Sequence, residues 1–250
     1  MKIIDQSWEW VKKPDDALER IESAGRTCYK SEDRIGPGSS EKFARMIVNR
    51  GHVTVIEHVS ASLRLITNRG VTHELVRHRL CSFSQESTRY VRYGGDMEFI
   101  RPVWFSDVPL TDDKTDFIPN TKEDPARTIK IDEWVQAMTD AERHYLAQLE
   151  AGSRPEQARE VLPNSLKTEI VVTANLREWR HIFDLRCSKK AHPQIQALML
   201  DVLAGFYEAI PVIFDELHEK YLGDMPELLK NAGREKKRLD GKISEYEAKL

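Results

Sequence analysis

The feature that most constrains the fold is an alternation of apolar and polar side chains between Val55 and Thr67. One set is apolar and the other is hydroxyl or basic: Val59, Ala61, Leu63 and Leu65 against Ser60, Ser62 and Arg64. Successive side chains of a strand point to opposite faces, so this period of two predicts a half-buried strand. Ser165–Ala174, which contains a run of consecutive β-branched residues, predicts a second, buried strand.

Helical patterns surround these strands in the sequence. Helices are predicted over Pro14–Gly25, Glu41–Asn49, Val71–Arg79, Ile131–Leu149, a short stretch that starts at Pro155 and stops at Pro163, Leu176–Leu185 and His192–Leu222. Pro211 is expected to kink or split the last of them, because proline lacks the backbone N–H that a helix interior needs. Val91–Pro102 is predicted to be another strand, and Ser106–Lys130 a surface excursion rich in Asp, Pro and Thr.

The spacing of strands and helices predicts a single α/β domain of the α+β type, with helices flanking a twisted, mostly antiparallel sheet. Residues 1–223 are assigned to this domain. Residues 224–250 form a charged C-terminal tail with apolar residues at helical spacing. The tail is expected either to form a last helix that packs on a partner subunit or to be frayed.

Composition excludes several classes of protein. A net charge of −3, with 32% charged and 40% apolar residues, is typical neither of a disordered polyelectrolyte nor of a general nucleic-acid binder. Three cysteines without Cys-x-x-Cys spacing argue for a reducing compartment. The N-terminal residues lack a secretory pattern, and no run approaches the roughly 20 apolar residues of a membrane span. A cytoplasmic protein without a membrane partner is therefore expected.

Candidate chemistry concentrates in the basic segment Arg77–Tyr90. It contains four basic groups and four hydroxyls: Arg77, His78, Arg79 and Arg89, with Ser82, Ser84, Ser87 and Thr88. Guanidinium groups match phosphate oxygens bidentately, and hydroxyls add neutral donors. In an extended chain Ser87 and Arg89 share a face and address one anionic ligand. The alternative interpretation is a solvated basic helix end.

The order of these residues resembles the signature of the flavin-dependent thymidylate synthases. The matching pattern is Arg77-His78-Arg79, seven residues, Ser87, and then Arg89-Tyr90. Further segments similar to the family stand in the expected order around it: Gly51–His58, Ala158–Pro163, Asn175–Arg177 and Leu185–Arg186. The resemblance spans roughly residues 24–200, most of the chain.

The resemblance implies an FAD-dependent methyltransferase that converts dUMP to dTMP. Methylenetetrahydrofolate is the expected carbon donor and NADPH the expected reductant, with FAD as the cofactor that mediates the transfer. It also implies a homotetramer whose active sites are shared between subunits, with Arg159 reaching in from a neighbour. The partners are then small molecules and not nucleic acid.

The resemblance further implies roles for individual residues. Those expected to bind dUMP are Glu74, Arg77, Gln85, Ser87, Thr88, Arg89, Arg159 and Arg186. Those expected to bind FAD are His52, Thr54, Glu57, Arg77, His78, Arg79, Asn175, Arg177 and His181. Arg186 is the expected catalytic residue, because a fixed cation against the uracil stabilises negative charge that develops as C5 becomes nucleophilic. No metal is expected. Without the resemblance, the sequence alone favours a helix-end cation for Arg186 and a structural role for each histidine.

Five positions depart from the family pattern. Glu74 stands where glutamine is expected, which places an acid beside an anion site. Gln85 replaces a common glutamate, Cys28 a small hydroxyl residue, His181 an asparagine and Lys190 a histidine. These differences concern individual flavin contacts, whereas the set expected to bind the nucleotide phosphate is intact.

Other kinds of chemistry agree less well with the sequence. A metal hydrolase is suggested by four histidines, His52, His58, His73 and His78. His73 and His78, however, are five residues apart and so lie about 140° apart around a helix instead of on one face. A nucleic-acid module built on the basic segment lacks a second basic block. Cys81 and Cys187 have no defined general base, so a packing role is favoured over a nucleophilic one.

Overall fold

The computed structural model describes residues 1–118 and 124–223. The main sheet has four strands in the order β2-β3-β6-β4, and every pair in it is antiparallel. Its strands are β2 (Ser7–Lys12), β3 (Ser60–Asn68), β4 (Ser82–Gln85) and β6 (Lys167–Asn175). A small second sheet pairs β1 (Lys2–Ile4) in parallel with β5 (Glu98–Ile100). The predicted mixed fold with a mostly antiparallel sheet is confirmed.

The central pair, β3 and β6, comes from the two strands that the sequence predicts. They align over their whole length, with Leu63 opposite Val172. Leu63 and Leu65 are fully buried, whereas Arg64 between them is exposed, as the alternation predicts. The predicted start at Val55 is wrong, because Val55–His58 forms a 3-10 turn and the strand begins at Ser60.

Eight helices are present among the described residues. They are α1 (Ala17–Thr27), α2 (Ser39–Asn49), α3 (Arg69–Leu75), α4 (Pro125–Glu150), α5 (Pro155–Ala158), α6 (Leu176–Arg186), α7 (Pro193–Ala209) and α8 (Pro211–Leu222). The buried side chains of α1, α2, α6, α7 and α8 join those of β3 and β6 in one large core. The predicted split at Pro211 is confirmed, since α7 ends at Ala209 and α8 begins at the proline.

Helix α1 does not stop at Gly25, as the sequence suggests, but continues to Thr27. Gly25 is buried inside the helix and faces α2. A Cβ placed on it lies 2.4 Å from the ring of Phe43, closer than any real contact. The glycine therefore permits the close packing of two helices instead of ending one.

The segment Ser106–Lys130 is less superficial than predicted. Val108 and Phe117 are buried in a small cluster with Ile3, Phe105 and Ile131. Apolar burial thus anchors the segment, and α4 begins within its range at Pro125. Residues 119–123 lie outside the described residues, as does the predicted tail over 224–250.

The predicted strand over Val91–Pro102 is wrong for most of its length, because only Glu98–Ile100 pairs with another strand.

Among the described residues, no helix combines the length and the apolar character that crossing a bilayer requires. All three cysteines are free, and Cys28 is exposed whereas Cys187 is buried.

Candidate active site

The basic segment lies between α3 and the end of β4. Helix α3 begins where the Asn68 side chain accepts a hydrogen bond from the N–H of Val71 at 2.8 Å, and it ends at Leu75. The predicted continuation of this helix to Arg79 is therefore wrong. Arg77 and Arg79 follow the helix and are exposed, and the Arg77 Nε donates to the His73 carbonyl. Both cations are therefore accessible to an anionic ligand.

Ser87 and Arg89 stand in a turn and not in the extended stretch that would give them a common face. The N–H groups of Tyr90 and Val91 both donate to the Ser87 carbonyl, at 3.1 and 2.9 Å. The Ser87 hydroxyl accepts from the N–H of Arg89 at 3.3 Å. Serine commonly stabilises turns in this way, which explains why the strand ends before it. The guanidinium of Arg89 is exposed and lies over the ring of Tyr90.

Arg159 joins this turn from a distant part of the sequence. It follows the short helix α5, and its Nη1 donates to the Thr88 hydroxyl at 3.3 Å. Thr88 is buried, whereas Arg159 is partly exposed. The expected approach of Arg159 from a neighbouring subunit is not what the structure shows, since Arg159 contacts Thr88 of its own chain. A single chain thus brings two guanidinium groups and a serine hydroxyl to one turn, the donor chemistry that a phosphate group requires.

Gln85 fixes this turn against α3. Its amide nitrogen donates to the hydroxyls of Thr72 and Thr168, at 2.9 and 3.2 Å, and both threonines are fully buried. Its donor hydrogens are therefore used inside the protein, and its amide oxygen is the group left for a ligand. The structure gives Gln85 a positioning role in addition to the expected contact with dUMP.

A second group of polar side chains, here called the α6 cluster, lies where the end of α3 meets α6. Its members are Glu74, His78, Glu178, His181 and Arg186. All three guanidinium nitrogens of Arg186 donate within it: Nε to Nε2 of His78 at 3.0 Å, Nη1 to the Glu74 carboxylate at 2.7 Å, and Nη2 to the Glu74 carbonyl at 2.9 Å. Arg186 is thus held in one orientation.

His78 is buried at the centre of the α6 cluster. Burial, followed by the charges of Arg186 and His181, lowers the pKa of His78 to about 4. The imidazole is therefore neutral near pH 7, in agreement with its acceptance of a hydrogen bond from Arg186. Its Nδ1 faces the carboxylate of Glu178 at 3.6 Å, and the ring of His181 meets it edge to face.

The α6 cluster includes a group that has the composition of a metal site. One ligand atom from each of His78, Glu178 and His181 lies within 4.8 Å of the others. Ligands of a tetrahedral zinc ion are about 3.4 Å apart, given metal–nitrogen distances of about 2.0–2.1 Å. The positive charge of Arg186, which is hydrogen-bonded to His78, also repels a metal ion at this position. The wide spacing and this charge both disfavour metal binding. His52, His58 and His73, the other histidines considered for a metal, are not part of this group.

Residues expected to bind FAD line a cavity of about 360 Å³ next to α1 and α2. His52 and Thr54 are exposed at its wall, and Gly25, Cys28 and Gly51 also contribute. The cavity combines apolar surface with hydroxyl and imidazole groups, which suits part of a flavin dinucleotide. Cys28 occupies this wall at the position where the resemblance leads one to expect a hydroxyl residue.

The remaining residues expected at the flavin have partners within the chain. Glu57 accepts from Arg177 at 2.6 Å, and both side chains are exposed. The side-chain oxygen of Asn175 accepts from the N–H of Glu178 at 2.8 Å and so caps α6. The amide nitrogen of Asn175 is the group left for a ligand. Lys190, another departure from the family pattern, is exposed.

The cysteines near the α6 cluster are not activated thiols. Burial, followed by the charge of Glu178, raises the pKa of Cys81 to about 12. Burial also raises the pKa of Cys187. A thiol in this state is not a nucleophile near pH 7, so both cysteines fit the packing role expected from the sequence.

Glu178 is the residue of the α6 cluster that the sequence patterns did not single out. It is 6% exposed and stands three residues after the Asn175 cap, at the third position of α6. That spacing from a capping residue is typical of an acid in the first turn of a helix. This spacing predicts that Glu178 lies in the first turn of α6, but it does not predict the contact of Glu178 with His78.

Comparison with known proteins identifies the family of the chain. Residues 9–212 match the family model described as "Thymidylate synthase complementing protein". The flavin-dependent thymidylate synthase of Mycolicibacterium vanbaalenii is 34% identical over 226 residues, covering 88% of this chain and 87% of the relative. The enzyme of the same name from Mycobacterium marinum is 32% identical with the same coverage.

A solved structure shares the fold at lower sequence identity. The UMP/dUMP methylase PolB from Streptomyces cacaoi, bound with 5-Br dUMP, superposes with a TM-score of 0.71 at 23% identity, covering 88% of this chain and 98% of that one. A match at this identity supports the architecture, and the curated relatives carry the assignment. With more than 30% identity over most of both chains, and a family model that matches residues 9–212, the chain belongs to the family of flavin-dependent thymidylate synthases.

Proposed function

We propose that the protein methylates dUMP to dTMP, with methylenetetrahydrofolate as carbon donor and NADPH as reductant through FAD. The observation that carries the proposal is the contact of Arg159 with Thr88. It places a guanidinium beside the Ser87–Arg89 turn from a segment far away in sequence, which is the arrangement a nucleotide phosphate needs. Membership of the family supplies the reaction.

The nucleotide phosphate is proposed to bind at this turn. Ser87 offers a hydroxyl, Arg89 and Arg159 offer charged donors, and buried Thr88 holds Arg159 in place. Arg77 is exposed before β4 and adds a further cation. Three cations and one hydroxyl can together bind a doubly charged phosphate. The hydroxyl is neutral, so it adds a donor without adding repulsion between the cations.

Arg186 is proposed to act on the pyrimidine. Its orientation is fixed by Glu74 and His78 before any ligand arrives, so little reorganisation is needed when charge develops on the base. A guanidinium near a carbonyl oxygen of uracil stabilises the electron density that makes C5 nucleophilic. Nη1 and Nη2 of Arg186 then donate hydrogen bonds both to Glu74 and to the pyrimidine.

FAD, when bound, supplies the redox chemistry that no side chain provides. His52 and Thr54 are proposed to contact it from the wall of the cavity next to α1 and α2. The exposed cations Arg79 and Arg177 suit its phosphates. Glu57, Asn175 and His181 complete the proposed flavin set, whereas His78, which is buried between Arg186 and Glu178, is proposed to act on the flavin side only through these neighbours. Glu57 acts through its ion pair with Arg177.

The assembly and location of the protein are also proposals. We propose a homotetramer with active sites between subunits, in which residues 1–223 form the catalytic domain and 224–250 an accessory tail. Because Arg159 reaches the Ser87–Arg89 turn of its own chain, the proposed sharing of sites does not depend on Arg159. Small molecules are its proposed partners, and the cytoplasm its proposed compartment. Three free cysteines support a reducing environment. Light scattering after size-exclusion chromatography measures the oligomeric state directly.

An absorbance spectrum and a turnover assay test the function. The purified protein, loaded with FAD, is expected to show flavin bands between about 300 and 550 nm that NADPH bleaches without oxygen. Addition of dUMP and methylenetetrahydrofolate is expected to give dTMP, detected by chromatography. UMP serves as the matched substrate control for the sugar.

The two parts of this experiment separate the possible errors. A protein that binds no FAD contradicts both the cofactor and the reaction. A protein that binds FAD and is reduced by NADPH, but forms no dTMP from dUMP, retains the cofactor and contradicts the substrate. Loss of dTMP formation in Arg159→Ala at low dUMP, restored at high dUMP, ties the activity to the Ser87–Arg89 turn.

A further inference from the structure

We propose that Glu178 is a positioning residue for Arg186 that acts through His78. Its carboxylate favours the tautomer of His78 that carries its proton on Nδ1, which leaves Nε2 free to accept the hydrogen bond from Arg186. The inference deepens the proposed function, since the kinetic part of its test assumes that Arg186 serves the reaction. The spectroscopic part does not.

The tautomer of His78 follows from the donors around it. An arginine Nε always carries hydrogen, so the 3.0 Å contact between Arg186 Nε and His78 Nε2 requires that Nε2 be unprotonated. A neutral imidazole must then carry its proton on Nδ1. That nitrogen faces the Glu178 carboxylate at 3.6 Å, where a negative charge attracts the N–H dipole.

Burial strengthens this electrostatic preference. The side chains of His78 and Glu178 are 3% and 7% exposed, so water screens their interaction weakly. Other groups near His78 do not replace the carboxylate. Arg186 and His181 lower the pKa of His78, and the thiol of Cys81, three residues along the chain, is half-buried and uncharged. Among these neighbours, Glu178 is the anion that faces Nδ1.

One helix carries both ends of this arrangement. Glu178 lies in the first turn of α6, where the positive end of the helix dipole favours an anion, and Arg186 is its last residue. His78 bridges the two from outside the helix. A rigid helix thus sets the separation of the carboxylate and the guanidinium, and the imidazole between them transmits orientation from one to the other.

The variant Glu178→Leu distinguishes a positioning role of Glu178 from a merely structural one. Leucine fills a similar volume, and because His78 is neutral, loss of the Glu178 carboxylate leaves no uncompensated charge on His78, so Glu178→Leu is expected to fold. Without the carboxylate, the tautomer of His78 protonated on Nδ1 keeps only the hydrogen bond from Arg186 to favour it, so the fraction of His78 protonated on Nε2, which cannot accept from Arg186, is expected to rise. Glu178→Gln keeps an acceptor oxygen and is expected to lie between the wild type and the leucine variant.

Two measurements on the full-length holoenzyme test the proposal. The first is the ¹H–¹⁵N correlation spectrum of ¹⁵N-histidine-labelled protein, with His78 assigned by its loss in His78→Gln. Wild type is expected to show unprotonated Nε2 and protonated Nδ1, and Glu178→Leu an increased fraction of the tautomer protonated on Nε2. The second is dTMP formation, in which Glu178→Leu is expected to lower kcat roughly 10- to 100-fold and to change the KM for dUMP less than about threefold, since a misplaced group costs turnover more than binding.

Glu216→Leu is the matched control. Glu216 is an exposed carboxylate of α8 that pairs with Arg180 of α6 at 3.0 Å, and its loss is expected to leave both measurements unchanged. A wild-type His78 protonated on Nε2 overturns the proposal, as does a Glu178→Leu variant with unchanged tautomer or unchanged kcat. If the wild type forms no dTMP, the proposed function fails, and the spectrum alone decides the role of Glu178 in orienting His78.

Discussion

Arg186 binds Glu74 at two points, through the side-chain carboxylate at 2.7 Å and through the backbone carbonyl at 2.9 Å. The two residues are 112 positions apart in the sequence. The pairing explains why an acid is tolerated at position 74 beside an anion site, because the guanidinium neutralises it locally. It also means that the charge of Arg186 is partly offset before a nucleotide binds.

Glu74→Gln is expected to strengthen nucleotide binding. The amide keeps a hydrogen bond to Arg186 but removes the negative charge, so the KM for dUMP falls about two- to fivefold, the effect of about 0.5–1 kcal/mol for a partly exposed charge. Steady-state kinetics at low ionic strength measures this change. Glu41→Gln, at an exposed acid paired with Arg45, is the control for charge alone. A raised KM in Glu74→Gln contradicts the expectation.

Arg186→Ala is expected to reduce dTMP formation at least 100-fold, the usual effect of removing a group that stabilises developing charge. Arg186→Lys should recover little, because a single ammonium nitrogen cannot reach the three separate acceptors that the three nitrogens of the planar guanidinium reach. Circular dichroism checks that both variants are folded. Near-normal turnover in a folded Arg186→Ala protein removes the residue from the mechanism.

Arg159→Ala is expected to act mainly on the KM for dUMP. Loss of a charge-assisted contact with the phosphate costs about 1.5–3 kcal/mol, or roughly a 10- to 150-fold increase. Thr88→Val removes the neighbouring hydroxyl that accepts from Arg159 and should give a smaller increase in the same direction. If kcat falls in Arg159→Ala while KM stays constant, the residue does not serve the phosphate.

The sequence predicts the sheet better than the polar clusters, for a physical reason. Alternating burial around Leu63 is a local property, so the strand and its buried face follow from the pattern. The end of α3 and the turn at Ser87 depend on local hydrogen bonds, from the N–H groups of Arg77 and His78 after the helix and to the Ser87 hydroxyl in the turn. The sequence misplaced both. The contact of His78 with Glu178 depends on how α6 packs against the segment after α3, and no spacing in the chain encodes it.

Stability is expected to fall as the pH decreases from about 6.5 to about 4. The folded pKa of His78 is about 4 against an ordinary value of 6.5, so between these pH values the unfolded chain binds more protons than the folded one. The loss attributable to His78 approaches about 3 kcal/mol at pH 4. Urea unfolding of wild type and His78→Gln at pH 7, 5.5 and 4.5 isolates it by difference. His144→Gln, at an exposed histidine, is the control, and identical pH dependence in wild type and His78→Gln refutes the assignment.

Gly25→Ala is expected to destabilise the protein, although alanine normally stabilises a helix interior by about 0.5–1 kcal/mol relative to glycine. The added methyl group lies 2.4 Å from the ring of Phe43, so α1 or the ring must move, at a cost of about 1–3 kcal/mol. Gly94→Ala is the matched control, since a Cβ there meets no atom within 4 Å. Thermal unfolding should show a lower Tm for Gly25→Ala and a nearly unchanged one for Gly94→Ala. Because Gly25 also lines the cavity that contains His52 and Thr54, a shift of α1 is expected to weaken FAD binding as well, which fluorescence titration measures. A Gly25→Ala protein that is more stable than wild type shows that α1 and α2 pack less closely than the structure indicates.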